Sequence, residues 1–367
     1  MRYITIIRRY RFVLLALISV IALLVTACSA DSIGIGGSTT TGGSTTGGGG
    51  SGTTGECTSA SQPDCAPGSG IPNAVLSVEP DAGDTPIVQA IQGAQHSIEL
   101  EVYILSTSEH HIVNALEDAA NRGVNVQVML EPSVNSSQFI DQLNSAGVKA
   151  KTTNPKFRLT HAKTMVIDGQ TAYISTANYA LSALGGSSSA TNREYIITDT
   201  VSADVHECDA IFQADWNRTT PTLSDSNLVV SPINSRQKLL SFIGEAKTSL
   251  HLEEEEMQDS GFIQALIAAK QRGAQVEVVT PKLSGSDATG AQKLTQASIK
   301  ITQIDDRSGG GYYIHAKVIV VDGKEAFVGS ENASASSLDN NREIGVFVAN
   351  QQDVQQIDQT IQQDFGG

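Results

Sequence analysis

From Ala74 onward, apolar residues recur alternately at the three-and-four spacing of a helix face and at the every-other spacing of a strand, and the series runs twice. In HIVNALEDAANRGVNVQVML a helical stripe stops at Arg122-Gly123 and resumes as an alternating strand. FIQALIAAKQRGAQVEVVTP repeats that profile, and its Gly273 stands 150 residues after Gly123. In the same order, SIELEVYIL is matched by SLHLEEEEM, LTHAKTMVIDGQTAYISTANY by YIHAKVIVVDGKEAFVGSENA, and TNREYIITD by NNREIGVFV. Each copy therefore reads as apolar helix, short strand, helix, strand, helix and a strand carrying His. Four ordered landmarks at so long a spacing describe a duplicated unit, not a solenoid. Strands alternating with helices predict an α/β fold of two tandem homologous lobes, each a central mixed β-sheet flanked by helices. We set the lobes at residues 74–218 and 227–367, with TTPTLSDSN joining them. Pseudo-two-fold packing would bring equivalent strand ends face to face, so a shared site is expected at the lobe interface.

The chain before Ala74 follows a different pattern. Arg2, Arg8, Arg9 and Arg11 precede an unbroken apolar run from Phe12 to Val25, the layout of an export signal. The run ends in Val25-Thr26-Ala27-Cys28, which resembles a lipobox. Residues 1–28 are accordingly expected to be a lipoprotein signal peptide, with Cys28 lipidated and the protein extracytoplasmic, anchored to a bacterial membrane. Residues 29–73 are rich in Gly, Ser and Thr and too poor in large apolar side chains to fold, so they read as a disordered tether. Cys57 and Cys65 in this tract suit a small disulfide loop. Cys208 shares a helical face with Val205, Phe212 and Trp216 and reads as a buried thiol. The formal charge is -15. Removal of the signal would take four arginines and no acid, leaving 20 basic against 39 acidic side chains, or -19. Such a surface disfavours avid binding of nucleic acid.

In THAKTMVIDG and IHAKVIVVDG, His and Lys lie two residues apart on an apparent strand, so their side chains share a face. His161 points with Lys163 and His315 with Lys317, while Ala162 and Ala316 face the other way. A Lys buried on an apolar strand calls for compensation, which a bound anion would supply. Asp168-Gly169 and Asp322-Gly323 carry a hairpin signal, so both aspartates read as turn formers remote from His and Lys. Downstream lie Asn178 and Asn332 in polar segments, with Ser330 beside the latter. Glu194 and Glu343 follow in Asn-Arg-Glu triplets, where each could accept a proton from the ring of its own lobe's His. The run Glu253 to Glu256 reads first as a solvated face, with a second reading in which part of it lines a pocket for a cationic head group. His96, His110, His111 and His206 lack paired spacing with carboxylates and read as surface or capping residues.

HxKxxxxD followed by a Gly-Ser/Thr-x-Asn segment and a later Glu, present twice, resembles the phospholipase D superfamily. The first copy departs from that pattern with Ser175 in place of Gly. It also carries an extra LGGSSSA between Asn178 and Glu194, which suggests a flexible loop at the mouth of the site. The resemblance implies a phosphodiesterase of the phospholipase D type, working without metal or cofactor. One His would form a phosphohistidine, with His161 favoured, and the other would serve as acid and base. The two Lys, Asn178, Asn332 and Ser330 would support the phosphoryl oxygens. A phospholipid or membrane surface is the expected partner, and the chain is expected to be a monomer whose lobes form an internal pseudo-dimer. Alternatives within the resemblance are a secreted endonuclease and a phosphatidyl transferase of the cardiolipin synthase type. A non-catalytic anion-binding lipoprotein is a further alternative.

Overall fold

Each lobe is built around a sheet whose inner strands are buried along nearly their whole length, as strands covered on both faces must be. The computed structural model describes residues 68–185, 192–224, 227–305 and 311–366. The export signal, Cys28, Cys57, Cys65, most of the tether and most of the LGGSSSA segment lie outside them. The first lobe comprises β1 (Val75–Glu79), α1 (Thr85–Gly93), β2 (Ser97–Val102), α2 (His110–Asn121), β3 (Asn125–Leu130) and α3 (Ser137–Ser145). It continues through β4 (Lys149–Thr152), β5 (Lys163–Ile167), β6 (Thr171–Ser175), α4 (Leu181–Leu184), β7 (Asn192–Asp199) and α5 (Ser202–Trp216). The second lobe repeats the plan with β8 (Leu228–Ser231), α6 (Ser235–Gly244), β9 (Ser249–Glu254), α7 (Ser260–Gln271), β10 (Gln275–Thr280) and α8 (Gly285–Gln296). Then come β11 (Lys300–Gln303), β12 (Tyr313–Ile314), β13 (Lys317–Val321), β14 (Glu325–Gly329), α9 (Ala335–Asp339), β15 (Glu343–Val348) and α10 (Gln351–Gly366). The hydrophobic pattern opens each lobe on a helix, whereas the structure places a strand, β1 or β8, in front of it. Among the described residues no helix is long and apolar enough to cross a membrane.

The strand orders are β1-β7-β6-β5-β2-β3-β4 and β11-β10-β9-β13-β14-β15-β8. In both sheets the three strands at one edge run parallel and the remainder antiparallel, so both are mixed as expected. Helices α1 to α3 cover the outer face of the first sheet with Ile87, Leu116 and Phe139. Helices α6 to α8 cover that of the second with Phe242, Phe262 and Leu294. A third core lies between the sheets, where Val166, Ile174, Tyr195 and Ile197 meet Val318, Val328 and Val346. Helices α5 and α10 join it through Val205, Cys208, Ile211 and Val354, Ile357, Ile361. Burial of each such aliphatic side chain contributes about 1.5–3 kcal/mol, so this shared core holds the lobes together. Cys208 is buried there, as its helical face predicts.

Polar contacts fix the register of the seam. Strand β12 of the second lobe pairs with the start of β7 of the first, Tyr313 opposite Asn192 and Ile314 opposite Arg193. In the mirror position Thr160 bridges Arg342, whose carbonyl accepts from the backbone N–H of His161 and Ala162 at 2.8 and 3.0 Å. Arg193 donates to Asp364 and to the Glu79 carbonyl, and Arg342 donates to Asp215 and to the Ser231 carbonyl. Each arginine thus reaches from its own sheet to the last helix of the opposite lobe. The tether boundary at residue 73 needs correction: Ile71 is fully buried and its N–H donates to the Phe347 carbonyl at 2.9 Å. An isolated apolar residue among glycines carries no periodicity by which to find such docking.

Candidate active site

The two His-x-Lys pairs enter the seam just ahead of the strands on which the spacing placed them. Lys163 and Lys317 are the first residues of β5 and β13, and each histidine lies two positions earlier. Ala162 and Ala316 face the other way and are wholly buried in the middle core. Both lysines are fully buried. Lys163 Nζ donates to the His161 carbonyl at 2.6 Å, and Lys317 Nζ does the same to the His315 carbonyl.

Each imidazole is oriented by a carboxylate from the opposite lobe, not its own. His161 Nδ1 lies 2.9 Å from Glu343 Oε2 and 3.2 Å from the Ser330 carbonyl, and His315 Nδ1 lies 2.7 Å from Glu194 Oε1. The expectation of pairing within a lobe is corrected by the crossing at the seam, because each Asn-Arg-Glu triplet opens a strand that runs beside the other lobe's His. The triplet's Asn holds its Glu: Asn192 Nδ2 donates to Glu194 at 3.1 Å and Asn341 Nδ2 to Glu343 at 3.0 Å. Hydroxyls complete the shells, Thr176 on Glu194 at 2.6 Å and Ser337 on Glu343 at 2.7 Å. Burial alone would raise both carboxyls. The facing imidazoles, together with Lys317 on Glu194, Lys163 on Glu343 and the hydrogen bonds just described, outweigh it and hold both below the usual carboxylate range. Thr176, Ser337, Asn192 and Asn341 were not singled out in the sequence, although the repeated triplet contained the signal for the two asparagines.

The two halves of the site differ in one residue that matters. After β2 the chain presents Tyr103, whose ring meets that of His161 edge-on at a centroid distance of 4.8 Å. After β9 the matched position is Glu255. Its Oε2 lies 2.8 Å from Lys317 Nζ and 3.4 Å from His315 Nε2, and its Oε1 accepts from the Tyr313 hydroxyl at 3.2 Å. Burial favours the neutral acid here, but His315 and Lys317, with a further contribution from His161, keep Glu255 ionised. The consequences separate the lysines. Lys317 is depressed by burial and raised by more by Glu255 and Glu194, so it stays a firm cation. Lys163 is lowered to about 7, burial and Lys317 outweighing the help of Glu343. His161 is lowered as well, by burial first and by Lys163. These mutual influences place both His-Lys pairs in one electrostatic neighbourhood, and a groove of about 780 Å³ opens beside it, lined by Tyr103 and His161 from one lobe and Glu256 and Asn332 from the other.

The remaining sequence-predicted residues divide clearly. Asn178 and Asn332 each carry a buried side-chain oxygen without a partner among the described residues, and Asn332 also lines the groove. The Ser330 hydroxyl turns inward and accepts from the Ile344 N–H, so only its carbonyl serves the site. Asp168 and Asp322, at φ 54° and 53°, form the hairpins. Their carboxylates accept from the N–H groups that open β2 and β9, Ser97 and Ser249 among them. This is a structural role far from the imidazoles. A Cβ on Gly329 would meet the Gly345 backbone at 2.6 Å and Glu331 at 2.5 Å. In the first lobe Ser175 holds the matched position, fully buried and opposite Ile196, with Ala177 where the second lobe has Glu331. Of the acidic run, Glu253 and Glu254 are buried, Glu255 is held against His315 and Lys317, and Glu256 lines the groove. His111 lies on the surface, as expected, and its Nδ1 lies 2.6 Å from Asp84 Oδ2, a carboxylate 27 residues away that no local spacing reveals. His251, overlooked in the sequence, is buried and pairs with Asp358 at 2.6 Å.

The family described as cardiolipin synthase, PLD-like domain, matches residues 87–216 and 239–365, well over half of the chain. Similar curated proteins include the minor cardiolipin synthase ClsB of Bacillus subtilis, 23% identical over 311 residues, covering 75% of this chain and 77% of that protein. The cardiolipin synthases of Clostridium perfringens and Listeria monocytogenes are 24% and 25% identical over 72% and 76% of this chain. The chain covers just under two thirds of those two, 64% and 66%. Among solved structures, a polyphosphate kinase from Porphyromonas gingivalis superposes with a TM-score of 0.63 at 18% identity, over 79% of this chain and 46% of that one. A phosphatidylserine synthase from Haemophilus influenzae gives 0.58 at 12%, over 79% and 85%. At these identities the structures share the fold.

Proposed function

The chain belongs to the phospholipase D superfamily, and from that premise we propose that it is a phosphatidyl transferase, exchanging the alcohol of a phospholipid phosphodiester through a phosphohistidine. The observation that carries the reading is the crossed arrangement in which each ring is held at Nδ1 by the other lobe's Glu, leaving two Nε2 atoms for one phosphoryl group. His161 is the nucleophile. Its pKa is depressed and its Nδ1 is held by Glu343, so Nε2 offers a lone pair. As Nε2 bonds to phosphorus, the leaving alkoxide takes a proton from His315, whose Nε2 faces Glu255. An acceptor alcohol then gives its proton to neutral His315 and attacks phosphorus, and the P–N bond breaks to restore His161. Lys317, Lys163 and the amides of Asn178 and Asn332 stabilise the charge that develops on the phosphoryl oxygens.

Transfer is preferred to hydrolysis because the similar curated proteins are named cardiolipin synthases. Hydrolysis of a lipid with a cationic head group is the second reading, favoured by the carboxylates of Glu255 beside the His315–Lys317 pair and of Glu256 at the groove. A lipid-anchored Cys28 would keep the site beside a membrane in either case. The test supplies the full chain, in EDTA, with phosphatidylglycerol vesicles and separately with phosphatidylcholine vesicles. Cardiolipin and free glycerol from the first, lost in His161→Ala and His315→Ala, support transfer. Phosphatidic acid as the sole lipid product supports hydrolysis, and degradation of added single-stranded DNA with no lipid product would overturn both.

A further inference from the structure

We propose that the first lobe binds a divalent first-row cation, of the zinc or manganese type, between Asp84, Glu109 and His111 where α1 and α2 begin. One ligand atom from each side chain lies within 4.8 Å of the others. Glu109 is wholly buried, and among the described residues neither of its carboxylate oxygens accepts a hydrogen bond, the Asp84 carboxylate being its charged neighbour. Asp84 and Glu109 both stand at helix N-caps, where a side-chain oxygen ordinarily accepts from the first turn, and neither does so. A buried carboxylate with unfilled lone pairs beside a second carboxylate needs a positive partner or must give up its charge.

The duplicated lobe supplies that partner covalently. Arg236 stands four residues after Pro232, as Asp84 stands four after Pro80, and Asp259 caps α7 as Glu109 caps α2. There the Arg236 guanidinium donates to both oxygens of Asp259 at 2.9 and 2.7 Å, and Asp259 also accepts from the Phe262 N–H at 2.8 Å. The first lobe has a carboxylate in the guanidinium's place. It also has an imidazole, His111, where the second lobe has Gly261, whose added Cβ would come 3.3 Å from that guanidinium. One fixed positive charge has thus been exchanged for two more metal-ligand donors. An imidazole with two carboxylates suits zinc or manganese better than the all-oxygen preference of calcium or magnesium. The His111 side chain is 76% exposed and that of Asp84 19%, which leaves an entry path and room for water ligands. A cation here would tie the β1–α1 loop to the β2–α2 loop, which carries Tyr103 against His161.

The test uses the full chain, stripped with EDTA, returned to metal-free buffer and titrated with zinc chloride by equilibrium dialysis, with thermal unfolding in parallel. Wild type should bind one zinc that Asp84→Asn and His111→Ala bind about tenfold or more weakly, while His161→Asn binds it unchanged. Zinc should raise the unfolding midpoint of wild type by mass action and raise that of both ligand variants clearly less at the same zinc concentration. Asp84→Arg, which copies the second lobe, should abolish the zinc response and raise the midpoint of the metal-free protein. Absence of zinc binding to wild type, or binding equal in wild type and in both ligand variants, would overturn the proposal.

Discussion

At the scale of single residues, the site is built on two buried carboxylates, each set against the opposite lobe's imidazole. Glu343 and Glu194 fix the tautomer of the opposite lobe's imidazole, and a glutamine cannot stabilise an imidazolium as a carboxylate does. Glu343→Gln and Glu194→Gln should each lower kcat by about 10²-fold or more with the fold intact, measured by steady-state assay beside circular dichroism. Lys163 gives a pH signature. Its pKa near 7 means the free site loses one cation as pH rises through neutrality, while Lys317 stays charged. The profile of kcat/KM should therefore fall above about pH 7, and a flat profile to pH 9 would show Lys163 to be no phosphate ligand. The four His and Lys positions and the two triplets were legible because they occur twice. The partner of each Glu was not, since spacing along the chain says nothing about which strand a neighbouring lobe lays beside it.

At the scale of elements, the triplet arginines hold the lobes in register. Arg342 and Asp215 are both essentially excluded from solvent, with 1% and 0% of their side chains exposed. Removing one partner strands a buried charge, so Arg342→Ala should cost about 3–5 kcal/mol, read as a lower urea midpoint. Arg342→Met combined with Asp215→Leu should cost clearly less than the single change, because no charge is left behind. Helices ending in Arg-Gly and the Asp-Gly hairpins could be read directly from local chemistry. Strands β1 and β8 were passed over because four or five residues at a composition boundary show too little alternation. The two-residue β12 exists only through pairing with β7, which no local pattern encodes.

At the scale of the whole molecule, acidity and burial act together. Burial raises Glu79 and Glu99 to about 8 and Asp199 to about 7. Between the unfolded carboxylate range, near pH 4, and these values, the folded chain holds protons that the unfolded chain releases, so stability falls as pH rises from about 5 to 8. Glu194, Glu343 and Asp322 are lowered, so their contribution is lost as pH falls below about 4. Differential scanning fluorimetry should therefore place the highest unfolding midpoint near pH 5, and a midpoint that climbs from pH 5 to 8 would contradict this assignment of protons. The two-lobe α/β plan was legible because the duplication repeats every signal. The middle core was less so, since strands apolar on both faces do not reveal which face meets helices and which meets the other sheet.

The central claim is that one phosphoryl group is handled by histidines from both lobes, with His161 as the attacking atom's owner. Its most direct test is mass mapping of His315→Ala after incubation with a p-nitrophenyl phosphodiester, whose leaving group needs no acid and whose adduct then lacks a base for turnover. The account predicts a phosphoryl adduct on the peptide containing His161, and none in the His161→Ala, His315→Ala double variant. An adduct-free peptide from His315→Ala, together with an adduct on His315 in His161→Ala, would contradict it.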